Sequence, residues 1–218
     1  MIRFSSRDSR GDIVTEASED ERDALVPPRG LNRRVRADTQ RNLDALLHAA
    51  KSVFASSGVD APVREIAEKA GVGIATLYRH FPQRADLIAA VFRREIDACA
   101  DAAPVLAAEH EPGEALARWM QRYVDFIAAK RGLATALHSG SPAYDTLPAY
   151  FRKRLEPALR TLLESAGAAG VVRTDVAAKD LLGAAASLCM HAYNQGSGPD
   201  HARRMVSLLV DGLRYRGR

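Results

Sequence analysis

The sequence has few of the residues on which chemistry is usually built. It holds two cysteines, Cys99 and Cys189, too few for a disulfide framework and without metal-ligand spacing. No apolar run approaches the roughly 18 residues of a membrane span, and the opening MIRFSSRDSRGDIVTEASEDERD lacks the apolar core of a signal peptide. These absences predict a cytoplasmic protein with no membrane partner. There is no internal repeat, no dinucleotide or P-loop glycine pattern, no H-E-x-x-H spacing and no nucleophile–base pattern. No catalytic residue, cofactor or metal ligand is therefore expected, and an enzyme reading finds nothing to stand on. Runs rich in β-branched residues are missing too, which disfavours strands.

What is present is helix-forming. The chain of 218 residues is 47% hydrophobic and 27% charged, with abundant alanine, enough to bury a core in one or two domains of an all-α fold. The net charge of +4 is unevenly laid out. Residues 1–28 carry 4 basic and 7 acidic side chains, residues 29–84 carry 10 and 5, and residues 85–218 carry 17 and 15. The positive excess sits in the second segment and fits either a polyanion partner or a solvated surface.

Residues 1–35 show no hydrophobic period and read as a disordered tail of mixed charge. Arg29, Arg33, Arg34 and Arg36 make a basic arm. Such an arm either lies along nucleic-acid phosphates or is plain soluble chain. From there the pattern is helical throughout. Leu43, Leu46, Leu47, Ala50, Val53 and Phe54 share one face of a first helix expected over 38–57, with Asp38 as cap and Gly58 as stop. Asp60, Ala61 and Pro62 open a second helix with Ile66 and Ala67 inward. A third is expected over 74–81 and a fourth from Gln83 to about Ala102. Later helices are expected over 113–131, 133–138, 144–165 with bends at Pro148 and Pro157, 175–193, and from a cap at Asp200 to about Tyr215.

The stretch REIAEKAGVGIATLYRHFPQRADL, Arg64 to Leu87, is the most informative. Gly71 stands where a helix C-terminus takes positive φ, and the next helix runs only about two turns before Pro82. Two short helices about a glycine turn make a helix-turn-helix. Leu77 and Phe81, four apart, face inward, which turns Ala75 and Arg79 outward with Thr76 and Tyr78 beside them. This narrow ridge suits a major groove, where Arg pairs with guanine and Thr or Ala touches a thymine methyl.

Those residues, above all IAEKAGV (66–72), TLYRHF (76–81), Arg84 and Leu87, closely resemble the DNA-binding domain of the tetracycline-repressor (TetR) family. The resemblance implies a helix-turn-helix domain over 36–83 and a helical ligand-binding and dimerisation domain over 84–218. It assigns the recognition-helix positions to Gly73, Ile74, Ala75, Thr76, Tyr78, Arg79 and His80. It places Arg84 where the family usually keeps a phosphate-binding Lys, an exchange of cations that retains the contact. Ile74 and Ala75 depart from the family's small or polar residues; Ile74 either closes the core margin or meets thymine methyls. Pro62 and Arg64 replace the family's Ser or Thr, leaving Arg64 to meet phosphate and Asp60 to cap. His80 fits a phosphate contact or a structural role equally.

The resemblance also implies a sequence-specific transcriptional regulator, a repressor released from its operator by a small-molecule effector. The partners it implies are near-palindromic double-stranded DNA and a second copy of the chain. Gly183, Ala184, Ala185 and Ala186 with Met205, Leu208, Leu209 and Leu213 are the expected four-helix dimer face. Trp119, Tyr123, Phe126, Tyr150, Met190 and Tyr193, with His138 and His191 as polar groups, are the candidate pocket; ordinary core is the alternative for each. An adaptor that kept the fold but lost DNA is opposed by Arg79 and Arg84.

Overall fold

The computed structural model describes residues 29–131, 133–137 and 139–214, and all regular structure among them is helical. The helices are α1 (Arg29–Ser57), α2 (Val63–Ala70), α3 (Ile74–His80), α4 (Arg84–Glu109), α5 (Pro112–Arg131), α6 (Ala134–Leu137), α7 (Leu147–Ala168), α8 (Ala178–Asn194) and α9 (Gly198–Gly212), with a 3-10 turn at Pro142–Tyr144 before α7. Residues 1–41 and 42–218 form two compact units. In the first, only the stretch from Arg29 onward is described, as helical backbone, with Arg41 paired to Asp38. The tail over 1–28 lies outside the described residues. Residues 29–35, expected without regular structure, are helical, so α1 starts well before the expected cap at Asp38.

The second unit is built on the stripe read from the sequence. Leu46, Ala50 and Val53 are fully buried, with Phe54 and Leu47 close behind. Gly58, at φ 80°, ends α1. The second helix starts at Val63 with Pro62 at its N-cap and no side-chain cap, so Asp60 does not take that role. Pro62 supplies only its carbonyl, which accepts from the Glu65 N–H at 3.0 Å.

Gly71 closes α2 at φ 69°. The Val72 N–H then reaches back to the Ala67 carbonyl at 3.1 Å, the six-to-one bond of a Schellman end. Only a left-handed residue turns the chain sharply enough for α3 to begin three residues later. Leu77 is 1% exposed and Phe81 7%, while Ile66 and Ala67 of α2 are buried with them. Burying a leucine of this kind stabilises by about 1.5–3 kcal/mol. α3 ends when the Phe81 N–H bonds the Leu77 carbonyl at 2.8 Å and Pro82 follows.

α4 opens with a capping box: Asp86 accepts from the Gln83 N–H at 3.1 Å, and the Gln83 side chain receives the N–H of Asp86. It runs to Glu109, seven residues past its expected end, with Pro104 inside it. α4 packs against α5 and α7, α8 against α9, and α9 against α5. Pro148 lies in the first turn of α7, where its missing N–H costs nothing, and Pro157 is inside the helix. α9 starts at Gly198 after an N-cap at Ser197, placing Asp200 in the first turn instead of at the cap. Tyr215 is outside the described residues.

Ile74 is 43% exposed, so it is not the core margin. Leu77, one turn on, is the residue of α3 that enters the core. Leu77→Ala is expected to cost about 2–5 kcal/mol in urea unfolding, and Ile74→Ala to stay within about 0.5 kcal/mol of the parent chain.

Candidate functional site

The outer edge of α3 carries Ala75, Tyr78 and Arg79, all exposed, with Tyr78 at 50%. Thr76 and His80 are half-buried on its flanks. Arg79 Nη2 donates to Thr76 Oγ1 at 3.2 Å, which leans the guanidinium along the ridge. The His80 ring lies 6.3 Å from that of Phe81, so its ring packs on the helix end. Gly73 precedes the helix in an extended conformation. The ridge thus presents a methyl, a phenol and a guanidinium to solvent, with Ile74 at its near end.

Two further cations border it. Arg64 on α2 pairs with Glu68 at 3.0 Å but stays 81% exposed along its side chain. Arg84, the first residue of α4, is half-buried, and its Nη1 donates to the Val59 carbonyl in the loop between α1 and α2. A guanidinium has five N–H donors, so this bond leaves others for a phosphate while locking α4 to the helix-turn-helix.

α4 continues this tie. Arg94 pairs with Asp44 and Lys51 with Glu95, the latter at 2.7 Å, both joining α1 to α4. On its other side Asp97 accepts from the Tyr150 hydroxyl and from Arg154 Nε, each at 2.7 Å; Arg154 Nη2 bonds Asp101 at 2.6 Å and Arg93 donates to Thr146 at 2.7 Å. One face of α4 therefore holds the head and another holds α7.

A cavity of about 410 Å³ opens beside this seam. Its lining is Phe92 of α4, Lys130 of α5, Leu137 of α6, Tyr144, and Leu147, Pro148, Phe151 and Arg152 of α7. Burial, and Asp86 less strongly, push the Tyr144 phenol up, so it stays a neutral donor. None of the described pocket residues expected from the sequence lines it. Trp119 and Tyr123 are buried, stack at 5.9 Å, and spend their polar atoms on the Cys99 and Leu182 carbonyls. Phe126 sits between Phe92 and Phe151 at 5.6 and 5.9 Å, behind the cavity wall. Tyr150 is engaged by Asp97, and Tyr193, in the last turn of α8, is buried. Met190, 42% exposed, and His191 point outward from α8. His138 is outside the described residues. Cys99 and Cys189 are buried, which pushes their thiols up to about 12 and about 11; they act as small hydrophobes.

Comparison with known proteins bears on both halves. Residues 46–91 match the model described as bacterial regulatory proteins, tetR family, and residues 111–215 match the C-terminal domain of SbtR-like transcriptional regulators. A TetR transcriptional regulator from Streptomyces coelicolor is 39% identical, covering 80% of this chain and 99% of its own, with a TM-score of 0.68. The chain belongs to the TetR family.

This places it among DNA-binding transcriptional regulators, which are in general not enzymes. A TetR regulatory protein from Mycobacterium vanbaalenii is 35% identical over 83% of this chain and 99% of its own, with a TM-score of 0.64. An HTH-type transcriptional regulator from Staphylococcus aureus is 34% identical over 64 residues, 29% of this chain; the match spans 35% of that relative's length. No helix among the described residues is long and apolar enough to cross a membrane. The TetR motif locates α3, and the cavity is what a motif cannot show. One signal for it is present in the sequence: Lys130 continues the stripe of Leu116, Tyr123 and Phe126 on α5, a cation on an apolar face.

Loss of the Arg84–Val59 bond leaves a half-buried carbonyl without its donor. Arg84→Ala is expected to lower unfolding stability by about 1 kcal/mol, apart from any effect on DNA. Stability equal to the parent chain contradicts the contact.

Proposed function

We propose that this TetR-family chain is a repressor that binds a near-palindromic operator as a homodimer and is released by a small molecule held in its helical body. The observation that carries the DNA half is the rotation of α3, with Leu77 and Phe81 inward and Ala75, Tyr78 and Arg79 outward. In this reading Gly73, Ile74, Ala75, Thr76, Tyr78 and Arg79 face the major groove. Arg64, Arg84 and His80 lie toward the phosphates. The exposed side of Ile74 meets thymine methyls.

Two heads are needed because one short helix reads too few bases to select a site in a genome. The dimer face in this reading is the outer side of α8 and α9. Gly183, Ala184, Ser187 and Met190 form an exposed stripe on α8, and Leu208 on α9 is 64% exposed. Small residues let a partner helix approach closely, and a leucine that exposed gains most from being covered. Ala185 and Leu213, expected in that face from the sequence, are instead buried in the chain's own core, and Ala186, Met205 and Leu209 are half-buried. Residues 36–83 act as the DNA-reading part and 84–218 as the sensing and dimerising part, joined along α4.

Fluorescence anisotropy on the DNA flanking its own gene tests the reading. Tyr78→Ala and Arg79→Ala are each expected to cost about 1–3 kcal/mol of specific binding while the far-ultraviolet circular dichroism and the dimer mass stay unchanged. Affinity for the parent chain should fall steeply as salt rises. Leu208→Arg should yield monomer in analytical ultracentrifugation and lose operator binding with it. Full operator affinity in both α3 variants removes the recognition-helix assignment.

A further inference from the structure

We propose that the cavity between α4 and α7 is the effector site and that its ligand is a small apolar carboxylate whose charge is received by Lys130 and Arg152. The assignment rests on the effector-responsive reading above and adds to it a place and a chemical class.

The walls set the body of the ligand. Phe92, Tyr144, Phe151 and Leu147 offer an aromatic and aliphatic surface, and about 410 Å³ is in the range of small-molecule sites. A bare inorganic anion would leave that surface wet, so the ligand must carry apolar area.

The two cations set its charge. Among the described residues no ion pair engages Lys130 or Arg152, although Arg94 and Arg154 on α4 and α7 are paired. Lys130 is half-buried, with its ammonium 5.9 Å from the centre of the Phe92 ring, so the charge rests on the cavity wall. Arg152, exposed, stands at the rim. A cationic ligand is repelled by both groups. A neutral one covers Lys130 without replacing the water it loses. A carboxylate has one oxygen for each donor, and such charge-assisted bonds are the stronger kind. The Tyr144 hydroxyl adds a neutral donor on the same lining.

The location also carries a consequence. A molecule in the cavity touches Phe92 of α4 and Phe151 of α7, the two helices joined by Asp97, Asp101, Arg154 and Tyr150, and α4 leads from there to Arg84 and the helix-turn-helix.

The test is calorimetric titration of the full chain with 4-phenylbutyrate and with its uncharged isostere 4-phenylbutyramide. The carboxylate is expected to bind at least tenfold more tightly. Lys130→Met and Arg152→Gln should each erase most of that preference without changing the melting temperature. Arg152 is exposed, so its variant keeps the test open even if the Lys130 variant folds poorly. Equal binding of the two probes, a preference that survives both substitutions, or no binding of 4-phenylbutyrate at millimolar concentration overturns the proposal. Operator anisotropy separates this from the wider reading. If the carboxylate binds with the stated preference but leaves operator affinity unchanged, the ligand class stands and effector-driven release fails. If the amide binds as well and releases DNA, release stands and the class fails.

Discussion

The burial of Leu77 and Phe81 is the constraint on which the molecule's reading surface depends. A helix of two turns has little stability of its own and cannot choose its rotation from local hydrogen bonding. Two large apolar side chains four residues apart, buried in one core with Ile66, Ala67 and the α1 stripe, choose it. Everything facing outward follows from that choice: Ala75 and Arg79 lie opposite the buried pair, and Tyr78 and Thr76 flank them. The Gly71 turn serves the same end, because it delivers the chain to Ile74 in three residues and leaves no slack in which α3 could roll.

The same economy governs α4. Its early turns are tied to the head through Arg84 on the Val59 carbonyl, Asp44–Arg94 and Lys51–Glu95. Its middle turns are tied to α7 through Asp97 and Asp101. Ion pairs that keep at least partial exposure add little stability singly, yet they fix which residue of α4 sits against which neighbour. A helix gripped on two faces by two different parts transmits a displacement of one part to the other. The cavity opens beside Phe92, one residue before Arg93, which donates to Thr146 at the start of α7.

Much of this was legible in the sequence, and the failures have physical causes. The α1 stripe, the left-handed Gly71 and the inward pair on α3 were readable because each is a local pattern with one satisfactory arrangement. Ile74 is ambiguous from period alone; its exposure beside the buried Leu77 decides it. The start of α1 at Arg29 was missed because a charged, unstriped segment gives no period even where its backbone is helical. The aromatic stripe of α5 is buried as its period implies, and its residues do not line the cavity beside α7. Trp119, Tyr123 and Phe126 fill their space with one another, and the opening falls where the stripe runs on to Lys130. On α8, sequence spacing does not say which side meets solvent; Met190 and His191, candidate pocket residues from the sequence, are exposed.

Site-directed photocrosslinking to an operator duplex tests the central claim most directly. With a photoreactive phenylalanine analogue replacing Ala75, the account predicts efficient crosslinking to bases at the centre of each half-site, and none from the same analogue at Ala70, which is half-buried at the end of α2. Crosslinking from Ala70 with silence from Ala75 would mean that α3 does not face the groove.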